Sequence, residues 1–369
     1  MRYARLAALA AATLLTACAH RPPADFTPDP GLVARIRDIR IRAPERVCPG
    51  QSFAVSYDAV LDDGSYIAFE TRYDPKHPPR LHVVFLDRES YDATPLQDGG
   101  WSAERDPVRT VSTGFRVSAT LRAKPTVTAT ATIAPDYSCI PHQFRFEGPP
   151  ADVAQSGRDG PPVTVRVGIL RSPFYDRLLV TSVGVGDAPP YFVLADANTI
   201  PPSDWLLIES RGGAGGRGQK GQGGRDGTAG QSGCPGGPGG NGGNGGNGGP
   251  GGAGGRGGTI TVVSPSELPY LAGLVDARTI GGRGGQGGGG GSGGKGGAGG
   301  SGTTDSRGVK CVSGTQGADG QTGLVGQEGP GGGPGPHAQT ITAPLRELFG
   351  NAIPPELQTL LGGGANRRP

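Results

Sequence analysis

Gly239-Gly240-Asn241-Gly242-Gly243-Asn244-Gly245-Gly246-Asn247-Gly248-Gly249-Pro250 is the stretch on which the reading of this chain turns. Counted in threes from Gly212, glycine holds every position to Gly257, sixteen triplets without a break. The period returns from Gly281 to Gly302 and again, in the same phase, from Gly314 to Gly335; Asp305 and Cys311 interrupt it and Gly308 keeps it. Three residues per turn is the period of a left-handed extended helix that rises about 3.1 Å per residue, and glycine at one position in three leaves a bare backbone face that another backbone can approach. In the first run, ten of the sixteen residues following the period glycine are also glycine and none is proline. Such a helix has two bare faces and one face decorated by Asn, Arg or Ala, turned to water.

This pattern resembles bacterial collagen-like repeats over roughly a third of the chain. A collagen triple helix implies a trimer, and sixteen triplets would then make a rod of about 150 Å. Collagen, however, relies on proline at roughly 15–20% of residues or more, and only Gly314 to Pro336 approaches that composition. The alternative is a polyglycine II bundle, in which segments of one chain fold back and hydrogen-bond side by side; such glycine-rich bundles are known in ice-binding and phage adhesin proteins. The intramolecular bundle, a monomer, is the favoured expectation over a trimeric triple helix and a disordered glycine linker. Alternating strands at 259–264 and 274–280, with one at 205–209, suggest long excursions from a small sheet.

At the other end, Arg2 and Arg5 precede an apolar run from Leu6 to Leu15 and then Leu15-Thr16-Ala17-Cys18. A charged start, a short apolar stretch and small residues make a secretory signal, and the run is shorter than the roughly 20 residues a membrane span needs. Leu-Thr-Ala-Cys resembles the bacterial lipobox. That resemblance implies removal of 1–17, lipidation of Cys18, a tether over 18–31, and anchoring in the cell envelope; Ala19, where an Asp would favour the inner membrane, implies the outer one. Several acyl chains anchor stably where one does not.

The formal net charge is +3, or +1 without Arg2 and Arg5, so no strong field points to nucleic acid. From Arg211 to Pro336 ten cationic side chains face six acidic ones. That mildly basic surface suits solubility first, and contact with envelope polysaccharide or another surface protein second.

The region 32–204 reads as an antiparallel β-sandwich of one or two small modules, in an all-β chain. Short runs rich in β-branched and aromatic residues recur at 36–42, 52–60, 66–71, 81–86, 115–121, 126–133, 163–170, 178–185 and 191–194, separated by turn residues such as Asp62-Asp63-Gly64. A cluster of Gly, Pro and Asp at 149–162 marks where two modules would meet. Outside the cytoplasm, four cysteines besides Cys18 allow three pairings; the one respecting the domains joins Cys48 to Cys139 and Cys234 to Cys311. The first pair resembles the bridge of an immunoglobulin-like domain, with Trp101 as the only candidate for its central tryptophan. Residues 337–369 form a tail with a short helix over 345–349 or 355–361.

Catalytic signals are thin. Gly290-Gly291-Ser292-Gly293-Gly294 matches the GxSxG elbow without the strand, helix, His and acid it needs, and Lys295 is followed by Gly296 where a P-loop needs Ser or Thr. GxGxxG matches are products of the repetition. Isolated Asp226, Asp305 and Asp319 do not make calcium nonapeptides, and scattered His without CxxC spacing argue against zinc. The expectation is a non-enzymatic, lipid-anchored protein with no cofactor or metal, serving structure, adhesion or surface contact. Its rivals are a module for a periodic ligand, glycan or ice, and a secreted hydrolase built on Asp58, Asp62, His77 or His82.

Overall fold

The computed structural model describes residues 22–200, 203–350 and 353–363. Most of its regular structure is β-strand, in five sheets with few helical residues. A short helix α1 (Pro30–Arg35) is capped by Asp29 and leads into β1 (Ile36–Arg42). There follow β2 (Arg46–Val47), β3 (Ser52–Phe53), β4 (Ser56–Leu61), β5 (Tyr66–Ala68), β6 (Leu86–Glu89), β7 (Ala93–Pro95), β8 (Trp101–Ala103), β9 (Phe115–Leu121) and β10 (Thr128–Pro135). Sheets β1-β4-β5, β2-β10-β9-β6 and β3-β8-β7 close on one core that includes Ile36, Tyr57, Leu81, Trp101, Phe115 and Ile133.

The structure differs from the sequence reading at several points here. The run 52–60 is two strands: β3 pairs with β8 and β4 with β1, so the chain changes sheets at Ala54-Val55. Within 81–86 the chain makes a 3-10 turn, Val83–Phe85, before β6 begins at Leu86; the His82 ring accepts the Val84 N–H at 3.1 Å and caps that turn. The stretch expected to be a tether is not free as far as residue 31: Phe26 packs edge-on to Tyr73 and against Phe85, each at 5.0 Å.

The second unit comprises β11 (Gln143–Glu147), β12 (Val163–Leu170), β13 (Leu178–Val185), β14 (Tyr191–Asp196), β15 (Leu206–Arg211), β16 (Ile260–Pro265), β17 (Val275–Ile280) and β18 (Gln339–Ala343). Its two sheets run β11-β15-β17, all parallel, and β14-β13-β12-β16-β18. Val165, Val167, Leu206, Ile208, Ile260 and Val262 fill the space between them. Strands from both sides of residue 205 share these sheets, so the expected border at 204/205 falls inside one core. β18 lies within the stretch read as tail; helix α2 (Pro355–Gly363) follows it, while Leu345–Phe349 is a turn whose Leu348 and Phe349 are buried.

The connectivity of this unit is repetitive. β11 leads through 148–162 to β12, β15 through 212–259 to β16, and β17 through 281–338 to β18. Each excursion thus leaves the three-stranded sheet and returns to the five-stranded one. The cluster at 149–162 is the first and shortest of the three excursions, not a linker between modules.

Candidate functional site

The long excursions supply four glycine segments, 212–233, 236–257, 281–302 and 314–335, taken here as first to fourth. Their main chains are hydrogen-bonded to one another at every triplet. Period glycines of the first segment donate to the third (Gly215 to Arg283, Gly224 to Ser292, both near 2.9 Å), and those of the second donate to the fourth (Gly242 to Ala318, Gly248 to Leu324). The second also donates to the first (Gly243 to Arg225), the third to the second (Gly294 to Gly243) and the fourth to the third (Gly320 to Gly294). Successive segments run antiparallel. The first and third are parallel, as are the second and fourth, and each pair continues the ladder of the parallel strands beneath it, β15 with β17 and β16 with β18.

Residue choice follows the number of neighbours. The second and third segments each touch three others and read Gly-Gly-X, because two of their three faces meet backbone: a Cβ on Gly242 would overlap the Gly294 carbonyl, one on Gly293 that of Gly320, and one on Gly294 that of Arg225. The first and fourth touch two others and read Gly-X-Y over most of their length, as in Gly218-Gln219-Lys220 and Gly323-Leu324-Val325. The exception proves informative. The first segment begins Gly212-Gly213-Ala214-Gly215-Gly216, and there the short excursion lies against it: Gly213 and Gly216 donate to Arg158 and Gln155, while Ala151 and Ala154 donate to Ala214 and Arg217. At Gly213 and Gly216 the absence of a side chain marks contact with a further backbone.

The outward columns carry polar groups at triplet spacing, about 9 Å. Asn241, Asn244 and Asn247 are exposed, yet they are not merely solvated: their Oδ1 atoms accept the N–H groups of Ala318, Gln321 and Leu324 at 2.8–2.9 Å. On the opposite face Asp226 Oδ1 accepts from the Lys295 N–H and Asp319 Oδ1 from the Gly296 N–H. Leu324 and Val325 stand out on the fourth segment, 71% and 73% exposed. At the far end Cys234 is bridged to Cys311, and the loop between the third and fourth segments is held by Asp305, whose carboxyl is kept below its ordinary range by the Val309 and Arg307 N–H groups.

The second disulfide, Cys48 to Cys139, fastens the start of the first core to the chain beyond β10. Cys18 and residues 1–17, the expected signal segment, lie outside the described residues. No helix among the described residues is long and apolar enough to cross a membrane.

The four residues of the hydrolase reading are not brought together. Asp58 is buried and paired with Arg42 at 3.0 Å, Asp62 with Arg35, and His77 with Asp74 in an exposed turn. His82 is buried; burial, outweighing the Thr71 backbone and the Glu70 charge, keeps its ring below the ordinary proton affinity. A cleft of about 560 Å³ lies near the junction of the two units, where His142 stacks on Trp205 at 5.9 Å and Arg46 lies over the Tyr175 ring at 5.2 Å. Among the described residues no group of three His, Cys, Asp or Glu side chains is placed to hold a metal ion. No protein-family model matches the chain, and no curated protein matches it in sequence.

Proposed function

We propose that this chain is a non-enzymatic, lipid-anchored protein of the bacterial cell envelope, and that its four glycine segments are a polyglycine II bundle displayed as a stiff, monomeric rod. The carrying observation is that every period glycine from Gly215 to Gly230 donates its N–H to the third segment while the second segment does the same to the fourth. Eight triplets at about 3.1 Å per residue make a rod on the order of 70 Å long, set on a sandwich whose strands run straight into it. A rod of this kind, cross-linked by Cys234 and Cys311, serves structure, adhesion or surface contact, with envelope polysaccharide or another surface protein as its partner.

Light scattering of the purified protein carrying Cys18→Ala, with and without reductant, tests the bundle: a monomer supports it, and a trimer returns the collagen-like stalk. Cell fractionation tests the anchor independently, since Cys18→Ala is expected to release the protein from the membrane fraction. A second reading draws on the evenly spaced Asn241, Asn244 and Asn247: a flat repeating face that binds a periodic ligand, a glycan or ice. Glycan-array binding or ice recrystallisation inhibition, abolished when the three are replaced by Lys, would favour it.

A further inference from the structure

We propose that Asn241, Asn244 and Asn247 are latent modification sites, kept from converting to aspartate or isoaspartate only while the second and fourth glycine segments stay paired. Each is followed by glycine: Gly242, Gly245 and Gly248. An Asn-Gly pair is chemically labile because glycine leaves the main-chain nitrogen unshielded. That nitrogen attacks the Asn Cγ, ammonia leaves with the amide nitrogen, and a five-membered imide closes. Water then opens the imide on either side, giving Asp or an isoaspartate whose main chain runs through the side-chain carbon.

In this fold both reacting partners are tied to one residue of the fourth segment. Ala318 donates its N–H to Asn241 Oδ1 at 2.9 Å and accepts the Gly242 N–H at 2.8 Å. Gln321 does the same for Asn244 and Gly245, and Leu324 for Asn247 and Gly248. Ring closure requires the Asn Cγ to swing onto the following nitrogen, which breaks both bonds at once. Once a segment opens, the clamp is gone and the chemistry proceeds. An isoaspartate lengthens the main chain by one carbon, so the glycines beyond it no longer meet their acceptors, and the opened segment cannot return to register. The three sites therefore record opening of the bundle as an irreversible covalent change.

The test is peptide-resolved mass spectrometry of the purified full-length protein held in mildly alkaline buffer, native or in denaturant, following gain of the carboxylate mass at each Asn. Native sites are expected to react roughly thirtyfold more slowly than denatured ones, the factor for opening two hydrogen bonds per site. Ala318→Pro removes one N–H from a helix whose backbone suits proline, and in the folded variant Asn241 is expected to react about fivefold faster than in the parent, ahead of Asn244 and Asn247; Ala318→Gly, which keeps the N–H, is the control. Equal rates in native and denatured protein would overturn the proposal, as would a folded Ala318→Pro protein in which Asn241 reacts no faster than its two neighbours. The native-to-denatured comparison stands on the parent protein, whatever the variant does.

Discussion

A Cβ placed on Gly242 falls well inside van der Waals contact distance of the Gly294 carbonyl oxygen, so the second and third segments approach too closely there for any side chain. Gly242→Ala or Gly293→Ala is therefore expected to force the segments apart and to cost about 1–3 kcal/mol or more, the range for overpacking a filled interior. Gly289, whose Cβ would meet nothing within 4 Å, provides the contrast. Its replacement by Ala is expected to be neutral or to stabilise by up to about 1 kcal/mol through the unfolded chain. Denaturant unfolding of the three variants checks the ordering; equal losses would sink it.

Trp101 and Tyr57 are fully buried, and the indole Nε1 donates to the Tyr57 hydroxyl at 2.7 Å. Tyr57→Phe leaves that donor unsatisfied in the first core. The expected cost is about 1–3 kcal/mol, read as a lower midpoint for the transition that reports Trp101 fluorescence.

Because burial depresses the proton affinity of His82 below its ordinary value of 6.5, the unfolded chain takes up a proton that the folded chain refuses. Its effect is absent well above that value and grows as the pH falls through it, so acid destabilises. His82→Asn, which keeps an acceptor for the Val84 N–H, is expected to flatten the fall in thermal midpoint between neutral and mildly acidic buffer. An unchanged slope would place the acid sensitivity elsewhere.

Replacing Cys234 and Cys311 by Ser removes a cross-link between residues 77 positions apart. A loss of about 2–4 kcal/mol is expected, concentrated at the far end of the bundle. Hydrogen exchange should quicken at Gly230, Gly300 and Gly314 while Gly215 and Gly285, beside the sandwich, keep their protection; uniform quickening would contradict a bundle rooted in the sheets.

The glycine period is open to reading because a bare position at every third residue permits close approach of backbones. The finer code, Gly-Gly-X for three neighbours and Gly-X-Y for two, is equally written in the residues but becomes intelligible only once the packing is known. The short excursion reads in the sequence as a junction between modules since its glycines, Gly148, Gly157 and Gly160, are spaced in multiples of three but are too few to establish a period. Its partners are recognisable instead by the extra glycines opposite, Gly213, Gly216, Gly252 and Gly255, each crowded by its backbone. In the first unit alternation located strands well at 36–42 and 115–121. It failed at 52–60, where alternating burial persists although the chain changes sheets, and at 81–86, where a histidine side chain competes with the ladder. The role of the three Asn residues was invisible because their partners lie 77 residues away.

That same separation joins Cys234 to Cys311, so the bridge and the asparagine column share a single register. With departures confined to one sheet and returns to the other, the sandwich is indifferent to how far the segments travel before turning. Taking one triplet from each of the four would shorten the projection by one layer, about 9 Å, and leave every strand in place. The molecule is in this sense a graduated ruler, whose reach can be reset in fixed steps without rebuilding its handle.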